Sequence, residues 1–361
     1  MSEQLLNELY DRYSKCENRE ESIGLAKKII ELNPHDYGVK LELIFIEAKD
    51  EDLINYIPDV EQIKKDNIEY LMSVDKEFNQ NYSKNNIDFE KYIQLYKVIY
   101  NLALLYLKKK DYSNAEKEIS WILNNDIKDH LEMKNLLAGV YFSTDNLEKL
   151  NQLINAYRKS SLIIDFYDYY INDLKQGNYK KFYADLFNRN PYLTFVLYGL
   201  TENEDFSKYD LSKYQIGCMD EALISFDNIL STLDQEHADL LLKDITSSHG
   251  FYIEPSDYFN EIELLIMMIL GGLADISGVT TSKKADYIAL FSTGVKSDDF
   301  KKYNIPDSTR LFSEQEIKDG FSRINKFGIF VEEKGNITLT RQGHYFCRCI
   351  TTMIAKNPEN K

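Results

Sequence analysis

Apolar side chains recur along this chain at helical spacing, in short blocks separated by polar turns. Leu6, Leu9 and Tyr13 form one block; Ala26, Ile29 and Ile30 form the next, closed by Asn33-Pro34. Spacings of three and four residues put side chains on one helix face, so each block predicts an amphipathic helix. The clearest pair lies in residues 100–125, where Leu102, Ala103 and Tyr106 precede a polar turn at Asp111 and Ala115, Ile119, Ile122 and Leu123 follow it. Leu137, Ala138 and Tyr141 repeat the first half 35 residues later, with a matching turn at Thr144-Asp145-Asn146. A third turn falls at Gly177-Asn178-Tyr179, and Tyr214, Gly217 and Asp220-Glu221-Ala222 suggest a further helix pair. Asn190-Pro191 closes a later unit as Asn33-Pro34 closes the first, because proline cannot continue a helix. Residues 55–90 lack a clean unit and predict an irregular helix pair with an acidic, Asn-rich loop near Asn79 to Asn86.

From about Glu261 the pattern changes. An apolar helix is predicted through Ala274, a second helical stretch near Ser282 to Phe291, and a third from Ser313 to Phe327, where Ser313 and Glu316 have the spacing of a capping box. Residues 328–332 and 336–340 then read as two strands joined by Glu333-Lys334-Gly335, and Arg341-Gln342-Gly343-His344 opens a final helix.

The two-helix period resembles the tetratricopeptide-repeat superfamily, closely over residues 100–155 and loosely over the first 235 or so. Glu31 to Gly38 (ELNPHDYG), Asn190 to Gly199 (NPYLTFVLYG) and Gly217 to Ala222 (GCMDEA) also look like a divergent bacterial branch of such proteins, one with no single assigned activity. The chain departs from the superfamily pattern where Leu150 and Phe182 replace alanines of the second helix. Residues 325–343 (NKFGIFVEEKGNITLTRQG) resemble the third helix and β-hairpin of winged-helix domains, whose wing a Leu-Thr-x-x-Gly turn commonly closes. These resemblances imply a mainly α protein: a tetratricopeptide-like α-solenoid over residues 1–250, a small α+β winged-helix-like module over 256–355, and a tail at 356–361. Repeat arrays of this kind bind peptides or helices on the face of their first helices. Large eukaryotic assemblies contain subunits with the same layout, whereas bacterial peptide-sensing regulators place the DNA-binding module first.

Length and composition agree with a folded chain of more than one core: 361 residues, 43% hydrophobic and 28% charged, with only six prolines. The net charge of −16 is uneven, since residues 256–361 hold fourteen Lys/Arg against fourteen Asp/Glu and all of the excess lies before them. An acidic array repels a phosphate backbone and attracts basic partners; a solvated acidic surface kept for solubility explains the same excess. Residues 1–10 carry neither a basic segment nor a continuous apolar run, and Ile262 to Leu270 is too short to cross a bilayer, so a cytoplasmic protein without membrane contact is expected. Cys16, Cys218, Cys347 and Cys349 are scattered and expected to be reduced.

Catalytic chemistry finds no constellation. There is no phosphate-cradling GxxxxGK[ST], no dinucleotide GxGxxG, no GxSxG elbow and no HExxH, and the five histidines are far apart in sequence. Gly271-Gly272 has no preceding strand and reads as a site of close helix packing or a break, while Cys347-x-Cys349 is too tight for a zinc knuckle. The chain is therefore expected to be non-enzymatic, with no cofactor, no metal and no catalytic residue, and to act as a scaffold or adaptor for a protein or peptide partner. Candidate contacts are the ladder Tyr92 and Tyr96 with Asn101, and the dense cluster Asp165, Tyr167, Asp168, Tyr169 and Tyr170. Tyrosine suits a surface apolar on one side and wet on the other, though the same spacing also serves interhelix packing. The alternative is a peptide-sensing transcriptional regulator whose winged helix binds DNA through Arg323, Lys326, Lys334 and Arg341. Against it, Glu314, Glu316 and Asp319 dilute the recognition helix, which favours a structural or dimer-forming wing.

Overall fold

A computed structural model describes residues 2–200, 216–246, 252–277, 281–294 and 310–356. Tyr214 and most of the predicted tail fall outside them. The protein is mainly α, with eighteen α-helices among the described residues, packed largely in consecutive pairs, and a carboxy-terminal β-hairpin. It divides into two units, residues 1–164 with 228–238 and residues 165–227 with 239–361.

In the first unit, α1 (Ser2–Ser14) pairs with α2 (Arg19–Leu32), α3 (Tyr37–Glu47) with α4 (Ile57–Val74), α6 (Ile93–Lys109) with α7 (Tyr112–Asn125), and α8 (Met133–Ser143) with α9 (Leu147–Tyr157). The short α5 (Lys76–Tyr82) folds back on α4. It occupies part of the stretch read from sequence as an Asn-rich loop: residues 79–82 are helical because Asp75 caps them, accepting from the Glu77 and Phe78 amides at 2.9 and 3.1 Å.

One turn geometry recurs between consecutive helical segments. The α6–α7 turn, the α8–α9 turn and the turn before α11 (Tyr179–Arg189) each place a left-handed residue, Lys110, Asp145 and Gly177, at the end of a helical segment. The next amide then reaches back five residues, Asp111 to Tyr106 at 2.9 Å, Asn146 to Tyr141 at 2.8 Å and Asn178 to Asp173 at 2.9 Å. Asp111 and Asn146 go on to cap the following helices with their side chains. Between the helices, Ala103, Ala115 and Ala138 are fully buried and Leu102 and Leu137 are buried beside them, so small residues sit where helices approach. Leu150 and Phe182, the departures from the alanine pattern, are also fully buried and fill that space with bulk. At the amino terminus Leu9, Leu25, Ala26, Ile29 and Val39 form a core flanked by Leu6, Tyr10 and Tyr13.

The end of α13 (Met219–Thr232) returns to this unit. Thr232 lies so close to α8 that a Cβ on Gly139 would stand 2.2 Å from its Oγ1 and 2.6 Å from its Cβ, and Lys110 caps the helix end by donating to Ser231 O and Leu233 O at 3.1 and 2.5 Å. Gly139→Ala is expected to force the two helices apart and cost about 1–3 kcal/mol, read as a lowered urea midpoint; an unchanged midpoint would contradict this packing.

Acid should loosen α5. Lys91, which bonds Asp75 most strongly, together with the Phe78 amide, Tyr92 and the Glu77 amide, holds the Asp75 carboxyl down to about 2 from an ordinary 3.8. A depressed folded value means that the stabilisation is complete above the unfolded value and lost as pH falls through the folded one. The only tryptophan, Trp121, reports on it, since its ring lies 6.3 Å from that of Tyr82 on α5. Its fluorescence is expected to change between about pH 4 and pH 2. Asp75→Asn, which keeps a cap but no charge, should flatten that transition; an identical acid transition in both proteins would show that Asp75 does not hold α5.

The second unit begins within α10 (Leu162–Asn172). Here α11 pairs with α12 (Pro191–Leu197), and Asn190 ends the first and caps the second, accepting from the Tyr192 and Leu193 amides at 3.0 and 3.2 Å. Asn190-Pro191 therefore opens a helix as well as closing one. Tyr192 packs edge-on against Phe346 (5.3 Å) and donates to Phe327 O at 2.8 Å, which is why residues 165–227 group with the carboxy-terminal helices and the division does not fall near residue 250.

That carboxy-terminal region runs α15 (Glu261–Ser277), β1 (Thr281–Lys283), α16 (Lys284–Thr293), α17 (Glu314–Ile324), β2 (Phe330–Glu333), β3 (Asn336–Leu339) and α18 (Arg341–Lys356). Its three antiparallel strands lie in the order β1-β3-β2. Strand β1 takes the first residues of the predicted second helix; Thr-Ser-Lys carries no apolar alternation, and pairing with β3 makes it a strand. The hairpin turn is shorter than predicted, with Lys334 and Gly335 both at positive φ (51° and 79°), as a tight two-residue hairpin requires. Ser313 and Glu316 form the expected capping box. Helix α15 is unbroken at Gly271, where an added Cβ would meet Cys347 at 3.2 Å, and Cys347 and Cys349 are buried.

Candidate functional site

In the first unit the face of first helices carries an open groove of about 590 Å³, lined from α1 by Tyr10, Asp11, Tyr13 and Ser14, from the start of α3 by Asp36, Gly38, Val39 and Glu42, and from α6 by Gln94 and Lys97. Each helix presents these residues because its opposite stripe is spent on the core. Leu9 is buried against α2, which turns Tyr10 and Tyr13 sideways and half exposed.

Asp36 forms the floor, with 6% of its surface exposed. It caps α3 by accepting from the Val39 amide at 3.0 Å, and it also accepts from the Tyr10 hydroxyl and from Gln94 Nε2 at 3.5 Å. Tyr13 donates its hydroxyl to Glu42 at 3.0 Å. Burial, then the hydrogen bond to Asp36, raises the Tyr10 pKa; burial, then Glu42, raises that of Tyr13. Both phenols stay protonated and turned toward carboxylates, so the floor is rich in acceptors.

Two smaller hollows are internally matched. One of about 370 Å³ between α4, α6 and α7 holds the Lys64–Glu118 ion pair at 2.5 Å and the Tyr106–Glu61 hydrogen bond. The other, about 460 Å³ beside the α7–α8 connection, holds Asp126, which accepts from the His130 amide at 2.7 Å and lies 2.8 Å from its ring nitrogen, while that ring stacks on Phe89 at 4.6 Å. These read as braces.

The residues singled out from sequence are not brought together. Tyr96 is fully buried and donates to Ile87 O at 2.7 Å; Tyr92, 6% exposed, donates to Asp75 at 2.9 Å. Both are interhelix packing residues and not surface contacts. Asn101 is half-buried, one helical step beyond Lys97 on the groove side of α6, and its amide donates to Lys97 O at 2.8 Å. The dense acid–tyrosine cluster is largely internal: Asp165, Tyr167 and Tyr170 are buried, and only Asp168 and Tyr169 are half exposed. An i, i+3, i+4 set inside a helix closed in on several sides explains this, and Asp165 is engaged by Arg189 at 2.9 Å while Tyr170 donates to Asp244 at 2.6 Å.

Arg323, Lys326, Lys334 and Arg341 are exposed. Arg323 pairs with Glu263, and the Lys326 ammonium lies 4.7 Å from the Phe327 ring centre. Nearby, Lys318 pairs with Glu314 at 2.5 Å and Arg310 with Glu316 at 2.8 Å. The groove residues themselves escaped sequence reading, where Tyr13 counted only as a core position; the available signal was the pair Tyr10 and Tyr13, one helical step apart in an otherwise acidic helix.

Among the described residues no group of three or more His, Cys, Asp or Glu is placed to hold a metal ion, and no helix is long and apolar enough to cross a membrane. No protein-family profile matches the chain. Neither a curated protein nor a solved structure is significantly similar to it.

Proposed function

We propose that this protein is a non-enzymatic interaction scaffold: a tetratricopeptide-like array that docks a peptide or helix of a partner on the face of its first helices. The observation that carries this reading is the open groove spanning α1, α3 and α6, three helices each opening its own pair. Stacked helix pairs spend one face on their neighbours and leave the other available, and peptides bind such faces through a few side-chain anchors. A random peptide library panned on the full chain tests it. Enrichment is expected on the parent and on Lys28→Glu, a charge change on the exposed side of α2, and lost on Gln94→Arg. No enrichment, or equal enrichment on all three, contradicts the proposal.

For the carboxy-terminal region we infer a winged-helix-like module, supported by the helix-strand-helix-helix-strand-strand order and the β1-β3-β2 sheet. The Arg323–Glu263, Lys318–Glu314 and Arg310–Glu316 pairs favour a structural or docking role for it over DNA binding, since phosphate contacts need basic side chains not already matched by carboxylates.

A further inference from the structure

We infer that the α1/α3/α6 groove is an anchor pocket for an arginine side chain of the docked segment. This rests on the scaffold reading and specifies its occupant. Three carboxylates line the groove, Asp11, Asp36 and Glu42, against one cation, Lys97. Asp11 is already engaged by Lys15 at 2.5 Å on the exposed surface of α1. Asp36 and Glu42 are different: the donors that meet them are the Tyr10 and Tyr13 hydroxyls, the Val39 amide and the Gln94 amide, all neutral, and among the described residues no lysine, arginine or histidine pairs with either. A carboxylate offers about four lone-pair sites, and Glu42 uses one of them on Tyr13.

The shape of the gap favours a guanidinium over an ammonium. The acceptors are split between two sides, Asp36 at the floor and Glu42 one helical turn or more along α3, with the Tyr10 and Tyr13 rings beside them. A planar fork of five N–H donors can meet two such carboxylates together and lie on a tyrosine face, whereas an ammonium is a compact, strongly hydrated point charge. A metal ion fits less well, since the described carboxylates form no converging ligand set. Lys97 stands at the edge of the same groove, where its charge opposes the incoming cation.

The test uses pools of short blocked peptides, random except for one fixed central residue, titrated against the full chain by fluorescence anisotropy. With arginine fixed, binding is expected to be about tenfold tighter than with its neutral isostere citrulline, and tighter than with lysine. Glu42→Gln combined with Asp36→Asn should bring the arginine and citrulline pools together; both substitutions are nearly isosteric and asparagine still caps α3, so an unchanged circular dichroism spectrum certifies the fold. Lys97→Gln should strengthen the arginine pool. An arginine preference that survives the double substitution, or equal binding of arginine and citrulline pools to the parent chain, overturns the anchor and leaves the scaffold reading standing. Failure of every pool to bind the parent chain overturns both.

Discussion

Replacing Arg189 with methionine is expected to cost about 3–5 kcal/mol, the range for removing one partner from a buried ion network. Arg189 donates to Asp165 at 2.9 Å and to both oxygens of Glu221 at 2.8 and 3.2 Å, and Glu221 also accepts from Asn190 at 2.9 Å and from the Gly217 amide at 2.6 Å. Glu221 is fully buried and Asp165 is 2% exposed. Burial disfavours the charged guanidinium, but Glu221 and then Asp165 outweigh it and raise the Arg189 pKa. Methionine keeps about the apolar stem of the side chain, removes the guanidinium and abandons two carboxylates in a dry site. Arg189→Lys should fall between the two, because an ammonium cannot reproduce the paired contact with Glu221. Urea denaturation followed by circular dichroism checks this; a loss under about 1 kcal/mol, the value of an exposed pair, would mean that the network is hydrated.

The second large effect is expected at Gly343. A Cβ there would lie 1.8 Å from Ile329 O and 2.4 and 2.5 Å from the Ile329 carbonyl carbon and Cα, all backbone atoms. The reason is the turn between β3 and α18, where Thr340 donates its hydroxyl to Gly328 O at 2.6 Å and accepts from the Gly343 amide at 2.9 Å, pinning the helix start against the strand entry. No rotamer change relieves such a clash, so Gly343→Ala should cost about 3 kcal/mol or more. Gly24→Ala is the matched control: nothing lies within 4 Å of its Cβ position. In the interior of α2 this change should stabilise by about 0.5–1 kcal/mol. Equal midpoints for the two variants would contradict the turn geometry.

Much of the helical order was legible in sequence because local chemistry dictates it. Asp111 and Asn146 announce caps, Gly177 announces a left-handed turn, and Ala103 and Ala138 mark places where a larger side chain would hold helices apart. The Leu-Thr-x-x-Gly stretch was legible for the same reason, since the threonine bridges and the missing glycine Cβ are local requirements. Burial around a helix was not legible. Tyr92 and Tyr96 have the spacing of an exposed ladder, yet α5 and the segment before α6 cover that face, and α5 is itself a consequence of Asp75. Nor could the groove be read, because Tyr10, Asp36, Glu42 and Gln94 meet only when α1, α3 and α6 stand side by side. Strand β1 likewise exists through its partner β3 and not through its own residues.

Hydrogen–deuterium exchange of the full chain, with and without the arginine-fixed peptide pool at saturating concentration, addresses the docking face most directly. Added protection is expected at the ends of α1 and α3 that meet the groove and in the first half of α6, with α2, α7 and α9 unchanged. Protection confined to those second helices, or to the region from α15 to α18, would contradict docking on the first-helix face.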